Sequence, residues 1–167
     1  MAAAPSSTRG APRAASAWLS ESRLSLKARR LRAQPQFEAL RSSPPLARTE
    51  HFVLHGLALQ TPVGQIPVQV PVLFPGEGPW LGAVTPKRWA KRAVTRNLIR
   101  RQIFGVGEEH VHALRTMMPQ SVFLVRLKMA YGADQFRSAA SALLRDAVRT
   151  ELQRLFTRAA GMSKGRT

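Results

Sequence analysis

The sequence predicts an α+β fold, a small sandwich in which helices pack against one β-sheet. Runs of apolar residues typical of strands are interspersed with segments whose apolar residues recur at three and four, as in helices. Their order along the chain is helix, strands, helix, strand, helix, which favours helices layered on a single sheet. With 167 residues and no internal repeat, the chain is long enough for one domain with tails.

The first predicted elements are a short helix and a strand. Residues 36–41 follow Pro35, and proline is tolerated at a helix start because its missing N–H has no intrahelical partner there. The proline pair at 44–45 ends this helix. Residues 51–59 are predicted to form a strand. Its candidates for facing the core are Phe52, Leu54, Leu57 and Leu59.

The next predicted elements lead into a second strand. Residues 66–74 are β-branched but contain two prolines, so we expect an edge strand or an irregular excursion. Residues 75–79 have the composition of a turn, and residues 80–85 are predicted to form a strand. The stretch 60–79 is interpreted as an insertion between two strands.

Two further helices and one strand complete the predicted fold. A helix is expected from about Ala90 to Phe104, ended by the glycines at 105 and 107, and residues 121–127 are predicted to form a strand. Asp134 is the expected N-cap of a long final helix. Its apolar positions, spaced at three and four, are Phe136, Ala140, Leu143, Leu144, Ala147, Val148, Leu152 and Leu155.

The two ends of the chain are predicted to be tails around a domain at 27–158. Residues 1–26 are rich in Ala, Ser, Pro and Arg without a period, which favours a disordered basic arm over the alternative, an organellar transit peptide. Residues 159–167 are predicted to be flexible. Because no secretory signal and no long apolar run is evident, we expect a cytoplasmic protein.

Charge predicts the class of partner. There are 26 Lys and Arg against 9 Asp and Glu, a formal net charge of +17. Such a domain repels itself unless a polyanion neutralises it, and nucleic acid is the usual partner. An anionic membrane surface is the alternative. Cysteine is absent, which excludes disulfides, thiolate catalysis and Cys-based zinc sites.

One segment concentrates the positive charge. No acidic residue occurs between Glu77 and Glu108. On a solvated helix face, Glu normally alternates with Lys or Arg, whereas here arginines at 92, 96 and 100 repeat at the repulsive i,i+4 spacing. We interpret the segment as a binding surface for a polyanion, although charge alone does not distinguish RNA from DNA. Its basic residues are Lys87, Arg88, Lys91, Arg92, Arg96, Arg100 and Arg101.

Residues 81–101, LGAVTPKRWAKRAVTRNLIRR, resemble the signature of the bacterial ribonuclease P protein component. In that family a strand ends in two basic residues, and a helix follows with Arg-Asn-Arg, an aliphatic residue and two more basic residues. The spacing matches without a gap. Residues 36–37 and 51–54 resemble the family too, and the later elements follow the family order. The resemblance covers about residues 28–158.

The resemblance implies a sandwich of the ribosomal protein S5 domain 2-like type, with a left-handed βαβ crossover against the usual right-handed rule. It implies a subunit of ribonuclease P, the endoribonuclease that removes the 5′ leader of precursor tRNA. The protein would be monomeric within the complex, and the RNA subunit would carry out the chemistry and hold most of the Mg²⁺. With the charge pattern, it assigns RNA binding to Lys87, Arg88, Lys91, Arg92, Arg96, Asn97, Arg100 and Arg101.

A second surface follows from the same resemblance. The single-stranded leader would lie in a cleft lined by Phe37, Arg41 and His55. This sequence departs from the family pattern at three positions. Leu98 stands where the second Arg of Arg-Asn-Arg is usual, Arg41 where a helix aromatic is common, and His55 where an aromatic often contacts RNA. The first departure removes one expected contact with phosphate.

The sequence offers little material for catalysis by the protein itself. Its acids are scattered, whereas a two-metal nuclease needs converging carboxylates. A metal site at His110 and His112 is a weak alternative to a surface loop there. Three hypotheses follow: a ribonuclease P subunit, a non-catalytic ribosomal or RNA-assembly protein of the same fold, and a nuclease that acts without RNA.

Overall fold

The computed structural model describes residues 28–58, 73–75, 79–117, 121–132, 134, 136, 138 and 140–162. Five strands form one sheet: β1 (Arg29–Arg30), β2 (Pro45–Arg48), β3 (Phe52–Ala58), β4 (Trp80–Val84) and β5 (Ser121–Leu127). Three helices accompany it: α1 (Gln34–Arg41), α2 (Ala93–Met117) and α3 (Ala142–Met162). The predicted mixed architecture of helices on one sheet is therefore confirmed.

The strand order is β1-β4-β5-β3-β2. β5 is central, parallel to β4 and antiparallel to β3. The connection from β4 through α2 to β5 is thus a crossover between neighbouring parallel strands, as the resemblance implies. The hand of that crossover stays a prediction.

The sheet has an apolar core on each face, because alternate residues of a strand point to opposite sides. Phe123, Val125 and Leu127 of β5 join one core cluster with the buried residues of α2 and α3. Val122 and Leu124 join a second cluster with Leu40 of α1. We call the side covered by α1 the α1 face. Phe52 and Leu54 are fully buried as predicted, whereas Leu57 packs on the α1 face.

The short helix and the strands are close to their predicted bounds. α1 begins at Gln34, two residues before the predicted start, because the Gln36 side-chain oxygen accepts hydrogen bonds from the backbone N–H groups of Arg32 and Ala33 at 3.0 and 3.1 Å. Strand β2 begins at Pro45, where we predicted only the end of the helix. The predicted tail 1–26, and nearly all of the predicted insertion at 60–79, lie outside the described residues.

The bounds of the two long helices differ from prediction. α2 does not end at Gly105 but continues to Met117, because Val106 is fully buried and extends the core-facing stripe. α3 is not capped by Asp134. It begins at Ala142, where the Ser141 hydroxyl oxygen accepts a hydrogen bond from the Leu144 N–H at 3.1 Å.

The inner stripe of α3 is narrower than predicted. Leu144, Val148, Leu152 and Leu155 are buried, but Leu143 is 70% exposed. α3 also reaches Met162, so helix extends into the C-terminal stretch that we predicted to be flexible from 159. None of the helices in the described ranges has the length and apolar character needed to cross a membrane.

Candidate nucleic-acid interface

A tight turn precedes the basic helix. After β4 ends at Val84, the backbone N–H groups of Trp89 and Ala90 both donate to the Pro86 carbonyl oxygen at 3.1 Å. The chain therefore folds back before α2 begins at Ala93. Lys87 and Arg88 lie exposed on this turn, so the predicted strand end and helix form one continuous surface.

Most of the predicted RNA-binding cations are exposed. Among the described residues, no carboxylate forms an ion pair with any of them, since the described ion pairs lie elsewhere. Asn97 is exposed beside them. We call the exposed cations of this segment the basic surface: Lys87, Arg88, Lys91, Arg92, Arg100 and Arg101. The basic surface thus presents charge that the described part of the protein does not neutralise.

Arg96 has a different environment from the other arginines. It is partly buried, and its Nη1 donates to the carbonyl oxygens of Lys91 at 2.7 Å and Ala90 at 3.0 Å. Arg96 therefore fixes the turn that carries the basic surface. Leu98, at the position where the family usually has another arginine, packs against the core and supplies no charge.

Arg30 is a cation near α2 that was not among the predicted RNA-binding residues. It lies on β1, and its guanidinium stands over the ring of Phe104 at 4.4 Å. Phe104 follows Arg100 by four residues and Arg101 by three, so these side chains are neighbours on the helix surface. The sequence does indicate a second basic segment around Arg30, because there are five basic residues and no acid between Glu21 and Glu38.

The predicted leader-binding residues lie on the α1 face. Phe37 packs against the second core cluster, and Arg41 is exposed at the end of α1. His55 of β3 is half-buried, and its Nδ1 lies 2.9 Å from the Ser43 carbonyl oxygen. The turn after α1 therefore orients the His55 ring. The structure brings these residues to one side of the sheet.

Arg126 adds a cation to the same side. It pairs with Val53 of β3 and Val84 of β4 in the register of the sheet, so it lies in the same row as these two apolar residues of the α1 face. Arg126 is the charged residue in the otherwise apolar run of β5. A charged residue at this position in a strand is the feature of the sequence from which its functional role could have been predicted. The α1 face therefore combines cationic, aromatic and imidazole groups.

A cluster of polar side chains lies at the other end of β3. The carboxylate of Glu151 accepts hydrogen bonds from the His51 N–H at 2.7 Å, His51 Nδ1 at 2.9 Å and the Tyr131 hydroxyl at 2.7 Å. The His51 and Tyr131 rings stack with centroids 4.0 Å apart. A cavity of about 610 Å³ borders the cluster. These contacts tie β3, the loop after β5 and α3 together.

Burial and hydrogen bonds shift the pKa values of Glu151 and Tyr131 in opposite directions. Burial alone would raise the pKa of Glu151, but hydrogen bonds from the His51 backbone, Tyr131 and Thr49, with the charge of His51, lower the pKa below its ordinary value. Burial, and then the neighbouring carboxylate, raise the pKa of the Tyr131 hydroxyl far above its usual range. The cluster therefore holds a carboxylate and a neutral phenol.

The histidines of α2 are part of a helix, not of the surface loop that we predicted. His110 stacks on Phe156 with centroids 5.5 Å apart, and its Nδ1 lies 3.0 Å from the Val106 carbonyl oxygen. The side chain of His112 lies outside the described residues. In the described ranges, no three His, Asp or Glu side chains come together as metal ligands.

Comparison with known sequences identifies related proteins. A family model described as Ribonuclease P matches residues 26–160. The ribonuclease P protein component of Burkholderia mallei (strain SAVP1) is 32% identical over 134 residues, which cover 80% of this chain and 84% of that protein. The corresponding protein of Paraburkholderia xenovorans (strain LB400) is 31% identical over 134 residues, 80% of this chain and 82% of that protein.

Two solved structures have the same fold. The structure of Staphylococcus aureus RNase P protein at 2.0 Å resolution matches with a TM-score of 0.51 and 15% identity, covering 80% of this chain and 96% of that chain. A mutant of the S. aureus protein with defective mRNA degradation activity matches with a TM-score of 0.50 and 14% identity, covering 89% and 98%. At these identities the likeness concerns the fold alone.

Proposed function

Because the chain belongs to the ribonuclease P protein family, whose role is the processing of the tRNA 5′ leader, we propose that its basic surface binds the RNA subunit of ribonuclease P. The observation that carries the proposal is the set of exposed cations at 87–101 with no carboxylate partner in the described part of the chain. Each phosphate that they neutralise releases counterions and adds salt-dependent affinity.

The second part of the proposal concerns the substrate. The single-stranded leader of precursor tRNA lies on the α1 face, where Phe37 and His55 offer rings and Arg41 and Arg126 offer charge. An unpaired base stacks on an aromatic ring or a guanidinium with little sequence preference. This suits a site that accepts leaders of many sequences.

In this proposal the RNA subunit carries out the cleavage and holds most of the Mg²⁺. The described residues do not fit a protein-held Mg²⁺ site, because no three of their His, Asp or Glu side chains converge, whereas two-metal hydrolysis requires converging acids. The protein, as a monomer, fixes the relative position of RNA and substrate.

Cleavage of precursor tRNA at low Mg²⁺ tests the proposal. Adding the protein to the catalytic RNA increases the rate of leader removal, because bound cations replace part of the Mg²⁺ that screens the phosphates. An Arg100→Ala/Arg101→Ala variant gives a smaller increase at equal protein concentration. Arg154→Ala, which removes an exposed arginine of α3, is the matched control and behaves as wild type.

The same assay distinguishes the alternatives. If wild-type protein does not accelerate cleavage, the chain is a ribosomal or RNA-assembly protein of the same fold rather than a ribonuclease P subunit. If the protein cleaves precursor tRNA without the catalytic RNA, the assignment of the chemistry to RNA is wrong.

A further inference from the structure

A second, smaller cavity opens beside Trp89. Its volume is about 330 Å³, and it lies between the turn before α2 and the loop that follows β5. Trp89 lines one side, Tyr131 and Phe136 line the other, and the cavity reaches the core residues Ile99 and Leu144. Cavities that hold small ligands span roughly 300–1,000 Å³, so this one has room for a single nucleotide.

The charge of this cavity selects an anion. Its lining includes Arg88, Lys91 and Arg92 but no Asp or Glu among the described residues. The larger cavity near His51 differs, because Glu50, Asp146 and Glu151 are part of its lining. Only the smaller of these two cavities thus combines cations at its edge with no carboxylate.

The aromatic groups select a planar ligand. The rings of Tyr131 and Phe136 meet edge to face with centroids 5.7 Å apart, and Trp89 lines the opposite side of the cavity. A nucleobase offers a ring face for stacking on such side chains.

Three exposed apolar side chains neighbour the lining residues in the sequence. Val94, Met129 and Leu143 are 55%, 43% and 70% exposed, and each directly precedes a lining residue. Arg96 fixes the turn that carries the three cations, so the cavity is organised before any ligand arrives.

We infer that this cavity holds one unpaired nucleotide of the RNA partner, with its base beside Trp89 and its phosphate among Arg88, Lys91 and Arg92. The inference rests on the proposed function, since it deepens the RNA contact of the basic surface. It assigns Trp89 a role in recognising an extruded base, whereas the surrounding cations recognise only the backbone.

The affinity for RNA and its salt dependence distinguish recognition of a base by Trp89 from recognition of phosphate by the surrounding cations. We propose to measure the binding of the full-length protein to ribonuclease P RNA as a function of salt. Trp89→Leu raises the dissociation constant by roughly 5- to 150-fold, the effect of losing one stacked base, and leaves the salt slope unchanged because no charge is lost. Trp89→Phe, which keeps a ring, has a smaller effect. Trp80→Leu, the same change at a buried tryptophan on the α1 face, lowers the melting temperature without changing affinity.

A crosslinking experiment on the wild-type protein needs no variant. RNA that carries photoreactive 4-thiouridine at unpaired positions is expected to crosslink to Trp89 or Tyr131, as identified by mass spectrometry. Crosslinks found only elsewhere, or an unchanged affinity of a folded Trp89→Leu protein, would overturn the inference.

Two controls separate this inference from the proposed function. Uridine monophosphate alone is expected not to raise the melting temperature of the wild-type protein. If it raises the melting temperature of wild type but not of Trp89→Leu, and both proteins bind the RNA equally well, the cavity is a site for free nucleotides and the inference is wrong. If the wild-type protein does not bind ribonuclease P RNA at all, the proposed function itself fails.

Discussion

Arg96 belongs to a motif that predicts contact with RNA, but its guanidinium also binds two carbonyl oxygens of the preceding turn. The i,i+4 spacing of arginines predicted one row at 92, 96 and 100, and Arg92 and Arg100 are exposed. It did not predict the position of Arg96, because a side chain on that row reaches the turn only when the backbone folds back at Pro86. Spacing along a helix defines faces, whereas contacts between segments depend on the path of the chain.

The buried carboxylate of Glu151 is expected to make the stability of the protein depend on pH. Since its pKa is lowered in the folded protein, the carboxylate contributes stability above its unfolded pKa, and that stability is lost as the pH falls through the folded value. Glu151→Gln is expected to destabilise the protein by about 1–3 kcal/mol at pH 7, the range for losing hydrogen bonds to a buried charge. Urea unfolding at pH 7 and at a pH below the ordinary value of 4.5 measures this difference.

The difference between wild type and Glu151→Gln shrinks at the lower pH, because the unfolded wild-type chain is protonated at Glu151 there and must release that proton to fold. Glu109→Gln is the control: its ion pair with Arg149 is half-exposed, and exposed pairs contribute about 0–1 kcal/mol. An equal destabilisation by Glu151→Gln at both pH values would contradict the assignment of the lowered pKa to this cluster.

At the scale of elements, α2 shows where sequence patterns were sufficient and where they failed. The sequence correctly predicted a helix in the basic segment, and Ile99 and Ile103 of that helix are buried against the core. The glycines at 105 and 107 falsely predicted the end of the helix. Glycine ends a helix when it adopts a left-handed conformation, but it also occurs where elements pack closely. Whether a glycine ends the helix or allows close packing depends on the position of β4, which the local sequence does not reveal.

Replacing each of the two glycines by alanine is expected to change the stability of the protein differently. A Cβ at position 107 would lie 2.3 Å from Leu81 Cδ2, whereas a Cβ at position 105 meets nothing within 4 Å. Gly105→Ala is expected to stabilise the protein by about 0.5–1 kcal/mol, since alanine favours helix. Gly107→Ala is expected to be less stable than Gly105→Ala by about 1–3 kcal/mol, because Leu81 is buried and must shift.

Thermal or urea unfolding of the two alanine variants measures the difference. Both changes add one methyl group to the same helix, two residues apart, so each serves as the control for the other. Equal stabilities would show that Leu81 moves aside without cost and that Gly107 is not required for the packing of α2 on β4.

For the whole molecule, the sequence predicted the three longer strands of the sheet but neither its short edge strands nor the strand order. Patterns within β3, β4 and β5 indicated strands, yet the position of β5 between the other two is set by contacts far apart in sequence. The short edge strands β1 and β2 have too few residues for a periodic signal. The resemblance to a family implied a βαβ crossover, which agrees with the parallel pairing of β4 and β5, but it gave no position for the other strands.

The net charge of +17 makes RNA affinity a property of the whole surface as well as of single residues. Arg100→Ala is expected to reduce the slope of log K against log salt by about 0.7–0.9, the contribution of one phosphate contact. Arg154→Ala on α3 is the control and keeps the wild-type slope. Fluorescence anisotropy with labelled RNA over a range of salt concentrations measures both.

An unchanged slope for Arg100→Ala would show that this arginine faces solvent in the complex. An equal reduction for Arg154→Ala would show that the field of the entire protein, and not the basic surface, determines binding.

The central position of β5 has a consequence for synthesis of the protein. β3 and β4 are not neighbours in the sheet, because each pairs with β5 on a different side. During translation, β1 to β4 therefore emerge before the strand that joins the two sides of the sheet. We expect the sheet to be completed only after Leu127 has left the ribosome, and until then the strand edges that pair with β5 are unpaired on the nascent chain.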